Sequence, residues 1–151
     1  MINRVLNIND VDATHEPVLY TCYGLGSCIG LFITDRMKGL TGGAHIPLPS
    51  DQCTGEFLGA IWLINKLLDS LTLLGSDLSC LRAKITGGAS VYKSTYNIGK
   101  QNIDTVLQKL IDIKIYIAAK DVGGNVSRTA RFNSLTNELV ISTSSLKTYS
   151  I

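Results

Sequence analysis

Two residues in this chain have both the chemistry and the setting to act as a nucleophile and its base. Cys28 follows Gly24-Leu25-Gly26-Ser27, a flexible turn between the apolar runs "VLYTCY" and "CIGLFITD". His45 stands seventeen positions later, in "LTGGAHIPLP". A thiol reacts as its thiolate, and an imidazole within hydrogen-bond reach is a standard way to generate one. Free backbone N–H groups in a glycine-rich turn stabilise that thiolate, or the oxyanion formed when it attacks a carbonyl. The turn "DRMKG", between the strand that starts at Cys28 and the one that carries His45, allows a hairpin that would bring His45 alongside Cys28. The competing reading is packing, because free cysteine is among the most buried residue types. The two residues alone leave both readings open. The other thiols lack this setting: Cys80 reads as core, Cys53 as an exposed loop or helix-start residue, and Cys22 as part of an apolar strand. His15, the second histidine, lies in a polar N-terminal segment and reads as solvated.

Several function classes find no support. Four cysteines without a C-x-x-C pair and two histidines give no paired zinc-ligand spacing, and no metal or organic cofactor is expected. Gly24-x-Gly26 followed by Gly30 has one residue too many for a dinucleotide fingerprint, the residues after Gly26 read as strand, and a Walker lysine is absent. The net charge of +2 comes from 14 basic and 12 acidic residues scattered along the chain, which gives no footprint for nucleic acid. The most apolar window, "FLGAIWLINKLLDSLTLLG", is broken by Lys66 and Asp69, so no membrane span is expected. The first residues carry acids and no apolar stretch of the signal-peptide kind, so a cytoplasmic protein without a disulfide framework is expected.

The elements that must position Cys28 and His45 can be read from periodicity. A chain of 151 residues that is 45% hydrophobic and 17% charged fits one domain, residues 1–151. At that length roughly 68–70% of the unfolded surface can be buried. Strands are expected at 4–8, 18–23, 28–35, from Leu40 to Pro47, from Leu81 into Gly87-Gly88, and at "IKIYIAAKD", with a hairpin of "SRTARFN" and "ELVIS" joined by "SLTN". Helical spacing runs from about Thr54 to Leu74, where Leu58, Ile61, Leu68 and Leu71 recur and Trp62 and Ile64 widen the apolar face; this helix is expected to be largely buried. A second helix spans Asn97 to Asp112, capped by Asn97, with Ile103, Val106, Leu107, Leu110 and Ile111 on one face. Runs of strands with two helices between them indicate an α/β (α+β) fold.

"GLGSC" and "GGAHIPLP", then "KITGGAS" at 84–90, "NIGKQNIDTV" at 97–106 and "DVGGNVSRTARFN" at 121–133, resemble in order and separation the signatures of the chemoreceptor glutamine deamidase family, CheD. The resemblance implies a layered α/β sandwich with mixed and antiparallel sheets, similar to the catalytic domain of the cytotoxic necrotizing factor toxins. It implies a cytoplasmic chemotaxis enzyme that hydrolyses receptor glutamine side chains to glutamate, with Cys28 as nucleophile and His45 as general base. The family's third member, a threonine six residues before the cysteine, falls here on Cys22, with Thr21 beside it. Neighbouring strand residues face opposite sides, so Thr21 would reach His45 only through a local bulge. Thr21 is nevertheless the expected partner, because a hydroxyl accepts a hydrogen bond better than a thiol; Cys22 in its place is the alternative. Backbone groups around Gly26, Ser27 and Cys28 are expected to hold the oxyanion. Gly42, Gly43, Gly87 and Gly88 are expected to line walls that admit a helical substrate, with Asn125 and Arg128 helping to build the pocket and turn chemistry competing for Asn125. The expected partners are the cytoplasmic helices of chemoreceptors and the phosphatase CheC, for a monomeric chain. A weakly active or inactive module that docks to receptors or to CheC is the alternative function. A Cys–His peptidase would fit the two residues but not the other motifs.

Overall fold

The computed structural model describes residues 1–50, 54–92 and 96–151. Along the chain these form β1 (Ile2–Val5), β2 (Val11–Thr14), β3 (Val18–Leu25), β4 (Ile29–Asp35), β5 (Leu40–Ile46), α1 (Ala60–Leu73), β6 (Leu81–Gly87), α2 (Ile98–Asp112), β7 (Tyr116–Val122), β8 (Arg128–Asn133), β9 (Glu138–Thr143) and β10 (Thr148–Ser150). Two mixed sheets result, one ordered β1-β3-β8-β9-β10 and the other β2-β5-β4-β6-β7. They pack face to face, and both helices cover the outer face of the second sheet, giving the expected layered α+β architecture.

β4 sits at the centre because its sequence allows nothing else. All seven of its residues are buried, and a strand buried on both faces must be apolar without alternation. Ile29, Leu31 and Ile33 face the helices, packing with Leu63, Ile64 and Leu67 of α1 and with Val106 and Leu110 of α2. Phe32 faces the first sheet, with its ring centroid 6.5 Å from that of Tyr20 and 5.3 Å from that of Phe132. A tight turn returns the chain into β5: the Asp35 carboxylate accepts from the Lys38 N–H at 3.1 Å, and Gly39 takes a φ of 65°. The resulting antiparallel register sets Gly30 opposite His45 and Ile29 opposite Ile46. Parallel pairing of β6 with β7 needs a crossover, which α2 supplies.

Several element boundaries differ from the sequence reading. The first strand covers Ile2–Val5 rather than 4–8, because the segment from Leu6 to Asp10 turns back toward His45. β2 and β10 have no signal in the sequence, being only 4 and 3 residues long and lacking a run of apolar alternation. α1 starts at Ala60 rather than Thr54; the preceding residues form the isolated bridges Thr54↔Phe57 and Leu48↔Gly59. Its buried face is Ala60, Leu63, Ile64, Leu67 and Leu71, so the helix is amphipathic rather than largely buried. Trp62 is 46% exposed and lies under the Lys66 ammonium. α2 buries Gly99, Asn102, Val106 and Leu110, while Ile111 faces out. Cys80 is exposed, not core, because it falls at the open approach to β6. Cys53 lies outside the described residues. No helix among the described residues is long and apolar enough to cross a membrane.

Phe32 is the residue through which the two sheets meet. Replacing it with alanine should cost about 3–5 kcal/mol, the range for a buried aromatic whose cavity cannot fully collapse. Chemical denaturation would show this as a lower midpoint at unchanged slope; a loss under about 1 kcal/mol would mean that the sheets are not held together there.

Candidate active site

The turn that carries Cys28 is built by a break in a strand. β3 pairs with β8 in regular register up to Cys22↔Ala130, and the register then shifts before Leu25↔Arg128. Gly24 takes a φ of 60° within this irregularity, and the Gly26 N–H closes onto the Gly24 carbonyl at 3.0 Å. The turn is pinned from behind by the loop after β6. Ala89 N–H donates to the Gly26 carbonyl at 2.8 Å, and Gly88 N–H to the Cys28 carbonyl at 2.9 Å. Gly87 has no substitute here: its φ is 110°, and a Cβ would stand 2.2 Å from the Cys28 carbonyl oxygen. Arg128, buried among these groups, holds Asp121 with its Nε at 3.2 Å and the Gly87 carbonyl with its Nη1 at 3.4 Å. Cys28 is left half-buried at the edge of a cleft of about 540 Å³, beside Gly26, Ser27, Ala89, Val91, Tyr92 and Tyr96.

His45 reaches the same region from β5. Residues of one parity in β4 and β5 face the first sheet, and Cys28 and His45 both belong to that face. Gly30 is the cross-strand partner of His45, so Cys28 stands on its diagonal, the arrangement in which Cα atoms lie about 7–8 Å apart and side chains can meet. The imidazole is 4% exposed. Its Nδ1 lies 2.8 Å from the Leu6 carbonyl oxygen. A carbonyl only accepts, so Nδ1 carries the proton and Nε2 is the bare, basic nitrogen. Nε2 is buried and has no hydrogen-bond partner among the described residues. The His45 backbone is gripped as well, with its carbonyl accepting from Asn9 N–H at 3.0 Å and its N–H donating to the Asp10 carbonyl at 3.1 Å.

Burial sets the charge state of both groups. It pushes the Cys28 thiol above its ordinary value. It also lowers His45, with the Leu6 carbonyl acting in the opposite sense. Each shift favours the uncharged form of its group.

The predicted site residues divide into those the fold brings together and those it does not. Cys28, Gly26 and Ser27 line the cleft, and His45 lies behind them on the shared face. The expectation that Thr21 orients His45 is not met. Val18, Tyr20 and Cys22 of β3 belong to the core between the sheets, so Thr21 has the opposite parity, and the register shift falls after Cys22 rather than beside Thr21. Cys22 does face the interior, but neither side chain bonds His45; the Leu6 carbonyl takes that place. Thr21 contributes through its backbone, its carbonyl accepting from the Leu6 N–H at 2.8 Å. Gly43 packs between the sheets, where a Cβ would be 2.7 Å from Leu6 Cδ1, and Gly42 packs against Leu67 on the helix side. Neither lines the cleft. Gly87 and Gly88 lie behind the Cys28 backbone rather than in a wall, Arg128 braces Gly87, and Asn125 is exposed in the bend after β7. Sequence reasoning misses two participants. A backbone carbonyl such as that of Leu6 leaves no trace in side-chain types. Asn102 does leave one, a polar residue on the apolar face between Gly99 and Val106.

Residues 50–143 match the family described as CheD chemotactic sensory transduction. The chain is 37% identical to the chemoreceptor glutamine deamidase CheD of Halalkalibacterium halodurans, across 94% of this chain and 95% of that protein. It is 31% identical to the protein of the same name from Thermotoga maritima, across 93% of this chain and 91% of that one. With "Probable chemoreceptor glutamine deamidase CheD 1" of Methanosarcina mazei it shares 38% identity, across 83% of this chain but 59% of that longer protein. The likeness thus runs through the strands that carry Cys28 and His45 as well as the helices behind them, and the chain belongs to the CheD family.

Proposed function

We propose that this chain hydrolyses glutamine side-chain amides on the cytoplasmic helices of chemoreceptors, releasing ammonia and leaving glutamate. The observation that carries the reading is the bare, buried Nε2 of His45, held in one tautomer by Leu6 and facing the same side as the thiol at the cleft. The names borne by the relatives supply the substrate class.

The residues suffice for each step. Nε2 of His45 takes the thiol proton as Cys28 Sγ attacks the amide carbon, forming the S–C bond. The carbonyl oxygen gains the charge, which the backbone N–H groups of Ser27 and Cys28 stabilise, the Gly26 N–H being taken up by the Gly24 carbonyl; one such donor is worth about 3–4 kcal/mol in other enzymes. The imidazolium then gives its proton to the amide nitrogen, the C–N bond breaks, and ammonia leaves. Water enters, Nε2 removes one of its protons as the oxygen attacks the thioester carbon, the C–S bond breaks, the imidazolium returns that proton to Sγ as the thiol, and the product acid ionises to glutamate. Starting from two neutral groups, charge develops only at the transition state, where a fixed and poorly hydrated site favours it most.

Incubation with a receptor cytoplasmic fragment should raise the mass of modified peptides by about 1 Da per glutamine, the difference between NH₂ and OH in this reaction class. Cys28→Ala and His45→Ala should each lower the rate by at least about 10³-fold, as for members of a unit that acts together. Retained turnover in the folded Cys28→Ala protein would overturn the assignment.

The directions of the two shifts set the pH dependence. Protonation of Nε2 removes the base, and burial moves that protonation to lower pH. The acid limb of kcat/KM should therefore lie below the ordinary histidine value of about 6.5. Alkylation of Cys28 by iodoacetamide should keep rising through pH 8 without a plateau, since burial holds the thiol protonated. An acid limb above 6.5 with a plateau in alkylation at neutral pH would instead reveal a thiolate–imidazolium pair.

A further inference from the structure

Behind the cleft, one buried amide ties together the two segments that carry the proposed nucleophile and base. Asn102 of α2 is fully buried. Its Nδ2 donates to the Ser27 carbonyl at 2.8 Å and to the Pro47 carbonyl at 3.1 Å. Ser27 immediately precedes Cys28, and Pro47 lies two residues after His45. The last paired residues of the β4–β5 ladder are Ile29 and Ile46. The ladder stops there, and Pro47, the next residue, has no N–H to donate. Asn102 supplies the missing cross-link from outside the sheet. It gets close enough because Gly99, one turn earlier, lies flush on the loop after β6: a Cβ there would stand 2.4 Å from the Ala89 carbonyl.

This bridge carries a penalty of its own. The Oδ1 of Asn102 is buried and has no hydrogen-bond partner among the described residues, and unpaired buried acceptors are destabilising. What the bridge does accomplish is orientation. Across a trans peptide the carbonyl and the following N–H point in opposite directions. Holding the Ser27 carbonyl toward α2 turns the Cys28 N–H the other way. That N–H has no acceptor among the described residues, which is the condition a donor awaiting an oxyanion must satisfy.

We infer that Asn102 is a positioning residue for the deamidation proposed above: by gripping the Ser27 and Pro47 carbonyls it aims the Cys28 N–H at the developing oxyanion and fixes the Cys28 turn against the end of the His45 strand. The inference rests on that reading of the site, and the two can fail separately.

The test compares turnover of a receptor cytoplasmic fragment with alkylation of Cys28 by iodoacetamide, which displaces iodide at a saturated carbon and forms no oxyanion. Asn102→Leu should lower kcat about 100-fold, the cost of misdirecting rather than deleting a donor. KM should stay within about twofold, since binding in the ground state is untouched. The alkylation rate should stay within about threefold, since thiol access and basicity are unchanged. Equal losses in turnover and alkylation would show a merely structural role and overturn the inference, as would unchanged kcat. If Asn102→Leu lacks a cooperative melt, Asn102→Asp, with the same shape but no NH₂, carries the same comparison. The wild-type chain provides an independent reading: a peptide aldehyde in place of the glutamine amide, added reversibly by Cys28 Sγ, should move the Cys28 amide proton downfield, and no movement would overturn the inference. Absence of deamidation by the wild-type chain would defeat the proposed function itself, whereas deamidation undiminished by either variant would defeat only the role of Asn102.

Discussion

The hydrogen bond from His45 Nδ1 to the Leu6 carbonyl is the interaction on which the site depends. It fixes the tautomer, leaves Nε2 basic, and keeps the ring from turning in a pocket where Nε2 has no partner among the described residues. The acceptor is itself anchored, because Leu6 N–H donates to Thr21 in β3, while β1 runs parallel to that strand just before. His45 belongs to the other sheet. The proposed base is therefore set by contact between the two layers, and anything that separates them loosens the imidazole first. A neutral backbone carbonyl does this differently from a carboxylate. It orients the ring without adding a negative charge, so burial still prevails and His45 stays below its ordinary value.

The same economy governs the thiol. Cys28 is presented by a turn that interrupts β3 and is clamped by the glycine loop after β6, with Arg128 and Asp121 bracing the clamp. Burial raises the pKa of the thiol, and no cation among the described residues is set against it. An isolated buried thiolate would be costly. A neutral pair that separates charge only as bonds change avoids that cost, provided that donors are already aimed at the oxygen where the charge will appear. The core runs from Phe32 and Phe132 up to Cys28, which packs against it half-buried.

Much of the site is legible in the sequence, and the gaps have physical causes. "CIGLFITD" and "LTGGAHI" announce two strands, and Asp35 and Gly39 announce the turn that pairs them, which is enough to put His45 opposite Gly30 on the sheet face that Cys28 shares. The helices are recognisable from their period, but the buried face of each is misjudged where a large apolar residue faces solvent, as Trp62 and Ile111 do. Which face a helix buries is decided by its partner, not by its own composition. Thr21 looks like the orienting group because hydroxyls are good acceptors. The strand's alternation turns it away, and a carbonyl that no side-chain type could reveal takes the place. The glycines at 42 and 43 look like cleft walls, yet they serve close packing on the two faces of β5. Asn102 is a readable signal of a different kind, a polar residue where the helical period calls for an apolar one.

The tautomer and charge of His45 can be observed without substrate. Only two histidines occur in the chain, so long-range ¹⁵N–¹H correlation spectra recorded through a pH titration would separate them readily. The ring should be neutral at pH 7, protonated on Nδ1 and bare on Nε2, and should titrate below the ordinary value of about 6.5. A ring protonated on Nε2, or an imidazolium persisting at pH 7, would contradict the mechanism at its starting point.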